Sequence, residues 1–221
     1  KKILLSLRPT EPMLSHVLEL ADKVPKEKIL AHFQNAQDKI NKEVFKIIKD
    51  NSIIFTHCHS TNVVRALIYA KNHGKKFQVY NTETRPLYQG RITARELAQA
   101  GIRVTNYVDS AAAIAIKQTS MIFLGADALL EKEVINKVGS GMISEIAKNN
   151  KVPVYIIADS WKYSHKNVKI EKRSFKEIWN PELNAIHIRN PAFEPIEAKN
   201  ISYIITELGK MTYKKFLSAV K

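Results

Sequence analysis

The stretch Ser52-Ile53-Ile54-Phe55-Thr56-His57-Cys58-His59-Ser60-Thr61-Asn62-Val63-Val64-Arg65-Ala66-Leu67 decides how the chain is read. Its first five residues are a short β-branched and aromatic run, the pattern of a buried strand. From Thr61 to Asn72 the apolar residues recur at three- and four-residue steps, the pattern of a helix. A strand, a polar turn and a helix in that order make half of a βαβ unit. The alternation continues downstream. Strand-like runs fall at Phe77–Asn81, Arg103–Tyr107, Ser120–Leu124, Val152–Ala158, Ala185–Ile188 and Ile201–Thr206. Helix-like segments fall at Thr93–Ala100, Ser110–Gln118 and Gly141–Asn149. Apolar strands alternating with amphipathic helices imply an α/β fold, a Rossmann-like doubly wound, mostly parallel sheet covered on both faces.

Upstream, the first fifty residues read as a short helical N-terminal segment, with residues 51–221 forming the Rossmann-like domain. Thr10 is placed to cap a helix running through Asp22, with Pro12 in its first turn. A second helix fits Lys26 to Lys49, where Ile29, Phe33, Ala36, Ile40, Val44 and Ile47 keep helical spacing. The polar stretch Lys162–Asn184 reads as a long loop or lid. Lys1–Leu7 is too short for a secretory signal. A chain that begins Lys1-Lys2 without Met is expected to be an excerpt of a longer protein.

The composition narrows the class. One cysteine excludes a disulfide scaffold, and 45% apolar residues exclude a disordered chain. No apolar run approaches the roughly 20 residues of a membrane helix, so a cytoplasmic protein is expected. The net charge is +14, with +8 from residues 1–110 and +6 from 111–221. A charge so evenly spread argues against nucleic acid as the main partner, because such binders cluster charge on one face or arm. Gly-x-Gly-x-x-Gly and P-loop patterns are both missing, so no dinucleotide or nucleotide cofactor is expected.

Parallel sheets bind ligands at the carboxyl ends of their strands. Thr56-His57-Cys58-His59-Ser60-Thr61, Asn81-Thr82-Glu83-Thr84-Arg85-Pro86 with Gln89-Gly90-Arg91, Asp109-Ser110, Gly125-Ala126-Asp127 and Asp159-Ser160-Trp161-Lys162 follow successive strands. Cys58 stands before a helix start, where the dipole and free amides are expected to lower its pKa; a buried structural thiol is the plainer alternative. Asp127 follows an apolar strand, where a raised pKa would suit a general acid; a helix cap is the plainer alternative. His57 and His59 lack zinc-site spacing, so no metal is expected. Asn136-Lys137-Val138-Gly139-Ser140 precedes a helix whose amides, with Lys137, could hold a phosphate. Arg8, Arg85 and Arg91 are three of the chain's eight Arg and fall on loops of this edge.

Six segments in order carry a resemblance. They are Arg8-Pro9-Thr10, Thr56-His57-Cys58-His59-Ser60, Thr82-Glu83-Thr84-Arg85-Pro86 with Gln89-Gly90, Gly125-Ala126-Asp127, Asn136-Lys137-Val138-Gly139 and Asn190-Pro191-Ala192-Phe193. Together they resemble the superfamily of ribose-1,5-bisphosphate isomerase, methylthioribose-1-phosphate isomerase and the alpha, beta and delta subunits of translation initiation factor 2B. Having both Cys58 and Asp127 is similar to the enzymes of that group, most of all the archaeal ribose-1,5-bisphosphate isomerases. The resemblance implies an aldose–ketose isomerase that converts ribose 1,5-bisphosphate to ribulose 1,5-bisphosphate in nucleoside monophosphate (AMP) salvage. In that reading Asp127 is the acid and Cys58 the proton acceptor. Arg8, Ser60, Thr61, Asn62, Gln89, Asn136, Lys137 and Lys162 would contact the sugar phosphate. The resemblance implies no cofactor and a homo-oligomer. The alternatives are a methylthioribose-1-phosphate isomerase and a non-catalytic regulatory protein with a translation-factor partner. Leu130-Glu131-Lys132-Glu133-Val134 departs from the family's glycine-bearing turn at that place.

Overall fold

Ile54 and Phe55 are neighbours on one strand, and they enter two different apolar clusters on opposite faces of a sheet. That alternation recurs at Ile122 and Phe123, Ile156 and Ile157, and Ile204 and Ile205, as the two-residue strand period requires. A computed structural model of the chain describes residues 2–181 and 185–220.

The elements in chain order are α1 (Lys2–Leu7), α2 (Pro12–Leu20), α3 (Lys26–Ile47), β1 (Ser52–Thr56), α4 (Thr61–Asn72), β2 (Phe77–Thr82), α5 (Gln89–Gln99) and β3 (Arg103–Tyr107). They continue with α6 (Ala112–Ile116), β4 (Met121–Leu124), β5 (Ala128–Leu129), β6 (Glu133–Lys137), α7 (Ser140–Asn149), β7 (Val154–Ile157), β8 (Phe193–Glu197), β9 (Tyr203–Thr206), β10 (Gly209–Met211) and α8 (Tyr213–Val220). The main sheet has seven strands in the order β10-β9-β7-β4-β1-β2-β3. All its pairings are parallel except β9 with β10. This is the doubly wound α/β fold that the alternation implied. Residues of α3, α4 and α5 cover one face, and residues of α6, α7, α8, β6 and β8 cover the other.

The chain runs outward through β1, β2 and β3, then returns to the other side of β1 with β4. The strand order therefore reverses between β1 and β4, and a crevice opens there beyond their carboxyl ends. Cys58 follows β1 and Asp127 follows β4. A second, antiparallel sheet of β5, β6 and β8 stands at the same end.

Two expectations need correction, and two features were not foreseen. Thr10 caps no helix: α2 begins after Glu11 without a side-chain cap. The buried Thr10 hydroxyl instead donates to Lys169 O at 3.1 Å and accepts from Glu171 N at 2.9 Å, tying the N-terminal segment to the polar stretch. Ala185–Ile188 forms no strand; its alternating apolar residues find no sheet neighbour. Part of the expected loop, residues 182–184, lies outside the described residues. The strands β5, β6, β8 and β10 were not expected. Finally, the glycine-free stretch 130–134 closes a β5–β6 hairpin, with Ala128 opposite Ile135 and Leu129 opposite Val134. The Tyr213 hydroxyl, from α8, bridges the Leu130 and Glu133 carbonyls at 2.7 and 2.8 Å and holds that turn.

Candidate active site

Beyond the β1–β4 reversal lies a cleft of about 450 Å³. Cys58, Asp127, Arg8, Ser60, Thr61, Asn62, Gln89, Asn136, Lys137 and Lys162 all line it. The fold thus brings together ten residues drawn from six places in the sequence.

The two strand ends meet closely. A Cβ on Gly125 would come within 2.6 Å of Ser60 Oγ, so only glycine lets the end of β4 approach the start of α4. Ser60 precedes α4 without a side-chain cap. The first-turn amides of that helix are therefore open at the cleft, the arrangement that favours an anion.

Burial is the largest influence on both candidate proton-transfer groups. It pushes the Asp127 carboxyl up to about 6, opposed by the nearby Lys162 and Arg8 cations. It pushes the Cys58 thiol up to about 11, opposed by the His59 amide and the Lys137 ammonium. The expected lowering of the Cys58 pKa does not occur, because loss of water around the sulfur outweighs the helix start and the cation.

Lys137 is only 6% exposed, and its ammonium, without a hydrogen bond or ion pair among the described residues, is open to the cleft that the residue lines. A cation placed so offers a charge-assisted contact to an anion. Gln89 Oε1 is a buried acceptor with no donor among the described residues, which suits a ligand hydroxyl. Lys162 Nζ donates to Ala126 O at 2.6 Å, which sets the ammonium beside Asp127. The turn bearing Lys162 is pinned in its own right. Asp159 accepts from Trp161 N at 2.9 Å and lies 3.1 Å from His32 Nε2 on α3, and the His32 ring stacks on Trp161 at 3.6 Å.

Other expected contacts are already engaged. The Asn62 side chain donates to Gln37 Oε1 at 2.9 Å, and Asn136 donates to Ser140 Oγ at 2.9 Å. The expected phosphate cradle at the start of α7 is filled by the protein. Gly139 N and Gly141 N both donate to Glu194 Oε1, at 2.8 and 2.6 Å. A carboxylate from β8 occupies the anion position of that helix, and of this segment Lys137 and Asn136 face the cleft. Arg85 and Arg91 also turn away from it. Both guanidinium groups sit over the Tyr88 ring, and Arg91 pairs with Glu83 at 2.7 Å.

His57 is buried and structural. Its Nε2 donates to Val138 O at 2.9 Å, and Nδ1 then accepts from the Thr82 hydroxyl. Burial lowers its pKa and keeps the ring neutral. Through this ring the end of β1 holds the loop that follows Lys137.

His59 and Phe193, quoted above in motifs without a site role, also line the cleft, and the structure adds Glu11, Leu87, Ile92, Glu171 and Arg173, which the sequence did not single out. Arg8 pairs with Glu11 at 3.2 Å, and Arg173 pairs with Glu171 at 2.7 Å and Glu177 at 2.9 Å. Arg173 had one available signal, as the single Arg between Arg103 and Arg189.

Residues 10–213 match the model of the Initiation factor 2 subunit family. The ribose 1,5-bisphosphate isomerase of Methanocaldococcus jannaschii is 37% identical, over 94% of this chain and 74% of that protein. The methylthioribose-1-phosphate isomerase of a Thermoanaerobacter species is 36% identical, over 82% of this chain and 61% of that protein. Against four further archaeal ribose 1,5-bisphosphate isomerases the matched part spans about half of their length, 54 to 55%. Among solved structures, the Pyrococcus horikoshii OT3 translation initiation factor eIF-2B superposes with a TM-score of 0.82 and 25% identity, over 94% of this chain and 78% of that one. Among the described residues no helix is long and apolar enough to cross a membrane.

Proposed function

The chain belongs to the Initiation factor 2 subunit family, and from that premise we propose that it is a sugar-phosphate isomerase acting on ribose 1,5-bisphosphate. One observation carries the reading. A thiol and a high-pKa carboxyl rise from the two strands at the sheet's reversal into one cleft, which Lys137 lines with an ammonium unpaired among the described residues.

A sugar phosphorylated at C1 is locked as a ring, because it has no free hemiacetal. Asp127, protonated, gives its proton to the ring oxygen as the C1–O bond breaks. Cys58, as thiolate, takes the proton from C2, which leaves an enol at C1 and C2. The enol then takes a proton at C1 from Cys58 and returns its hydroxyl proton to Asp127. The ketose forms, and both groups end as they began. General acid and base roles of this kind are each worth about 10²–10⁴ in rate.

Without substrate the proton rests on the opposite partner. Between about pH 6 and 11, Asp127 is ionised and Cys58 is a thiol. A bound phosphate anion favours the protonated form of Asp127 and so readies the acid, while the Lys137 ammonium opposes the effect of burial at Cys58 with or without substrate. The C2 proton is therefore taken by the minor thiolate form of Cys58. The open amides of α4, Lys137, Lys162 and Arg8 supply the anion contacts, and Gln89 Oε1 accepts from a sugar hydroxyl.

A second reading has its own support. Leu87, Ile92 and Phe193 give the cleft an apolar wall, which suits a methylthio group better than a second phosphate. A substrate panel separates the two. The protein is incubated with ribose 1,5-bisphosphate and with methylthioribose 1-phosphate, and the ketose is measured. Turnover of the bisphosphate supports the first reading; preference for the monophosphate replaces it with the second.

A further inference from the structure

We propose that Thr84 and Thr93 are positioning residues that hold the Cys58 peptide in the one backbone conformation that keeps its sulfur in the cleft with Asp127. The inference rests on the reading of Cys58 as the proton-transfer group.

Cys58 has φ 66°, in the left-handed region. A non-glycine residue there is strained and persists only when its surroundings hold it. Both of its backbone polar groups are held by threonine hydroxyls. Cys58 N donates to Thr84 Oγ1 at 2.9 Å, and Thr93 Oγ1 donates to Cys58 O at 2.9 Å. Thr84 comes from the loop after β2, and Thr93 from the first half of α5. They are 0% and 1% exposed, so water does not replace either bond.

The clamp is itself braced. Thr84 also has a left-handed φ, 61°, which is costly for a β-branched residue. The Asp109 carboxylate holds it there, accepting from Thr84 N at 2.8 Å and Arg85 N at 2.7 Å. The Thr93 proton goes to Cys58 O, so the His59 Nδ1 at 3.1 Å is a donor to Thr93 Oγ1. At Gly90 a Cβ would lie 1.8 Å from Thr82 O, so the start of α5 is pressed against the β2 end. Cys58 is thereby gripped between two elements that are locked to each other.

The chain holds one cysteine, which makes thiol alkylation specific to this site. The test is the rate of iodoacetamide labelling by intact mass from pH 6 to 11, alongside kcat and KM on ribose 1,5-bisphosphate. Thr84→Val removes the acceptor and keeps the shape. Release of Cys58 from its half-buried position should speed labelling at pH 8 by about tenfold or more. A sulfur displaced by about 1 Å should lower kcat by about 10²-fold with KM little changed. Thr84→Ser should restore both readings. Thr93→Val should move both in the same directions, and it serves if Thr84→Val does not fold. Labelling profiles and kcat that match the wild type in the valine variants, with only the melting temperature lowered, would overturn the proposal. A wild type that turns over no sugar phosphate defeats the isomerase reading, while the labelling comparison still decides the clamp.

Discussion

Gly125 and Ser60 stand so close that a single methyl group on Gly125 would come within 2.6 Å of the Ser60 hydroxyl oxygen and 2.7 Å of its Cβ. The contact joins the end of β4 to the start of α4, the two elements that flank the sheet's reversal. Gly125→Ala should push α4 and the Ser60–Asn62 edge out of place. An overpacked site of this kind costs about 1–3 kcal/mol, and a shift of about 1 Å costs about 10²-fold in rate. Gly125→Ala combined with Ser60→Gly should recover stability, because the clashing side chain is gone. Urea unfolding of the single and double variants checks this. Equal stability of the two would show that the contact is slack.

Asp127 should trade stability for chemistry. Its carboxyl is raised from 3.8 to about 6 in the fold. The native state therefore binds more protons than the unfolded chain between those values, and stability falls as pH rises through that window. Asp127→Asn should stabilise the protein by about 1–2 kcal/mol at pH 8 and by almost nothing at pH 4, allowing for partial exposure. The same variant should lose about 10²–10⁴ in kcat. Melting curves at the two pH values, read beside turnover, check both halves.

Lys137→Met should act mainly on affinity. The substitution keeps the buried stem and removes a cation on the cleft lining that makes no ion pair among the described residues. KM or Kd for the sugar phosphate should rise by about 10-fold or more, since a charge-assisted contact is worth about 1.5–3 kcal/mol. The apo protein should be as stable as the wild type or more so. A destabilised apo protein with unchanged affinity would assign Lys137 to structure alone.

Tyr213→Phe should loosen the glycine-free turn. The hydroxyl bridges the Leu130 and Glu133 carbonyls, and both would lose a donor. A loss of about 1–2 kcal/mol follows, with a fall of about 2–4 °C in Tm per kcal/mol for a chain of this size. Asn136 and Lys137 lie on the strand leaving that turn, so KM should rise with the loss. Calorimetry and initial rates on one preparation check the link.

The central parallel strands were legible because they are buried on both faces. Short apolar runs such as Ser52–Thr56 and Met121–Leu124 have few other uses. The antiparallel sheet was not legible, because Glu133–Lys137 mixes charges with apolar residues and pairs with Phe193–Glu197, some sixty positions away. Ala185–Ile188 shows the reverse error: alternation without a partner strand is not a strand, and Ile186 stays 38% exposed. Cys58 and Asp127 were legible as cleft residues because strand ends share one edge of such a sheet, whereas the set of substrate contacts came from the family resemblance. What each group does there was harder to read. Burial outweighs the helix start at Cys58, Glu194 takes the amides reserved for a phosphate, and Thr10 ties two segments instead of capping one. Each outcome depends on a residue distant in sequence.

The most direct measurement follows ribose 1,5-bisphosphate by ³¹P and ¹³C NMR with the wild type, Cys58→Ser and Asp127→Asn in parallel. Conversion to ribulose 1,5-bisphosphate by the wild type, slowed by about 10²-fold or more in each variant, is the predicted result. No conversion by the folded wild type, or conversion that survives both substitutions, would contradict the account.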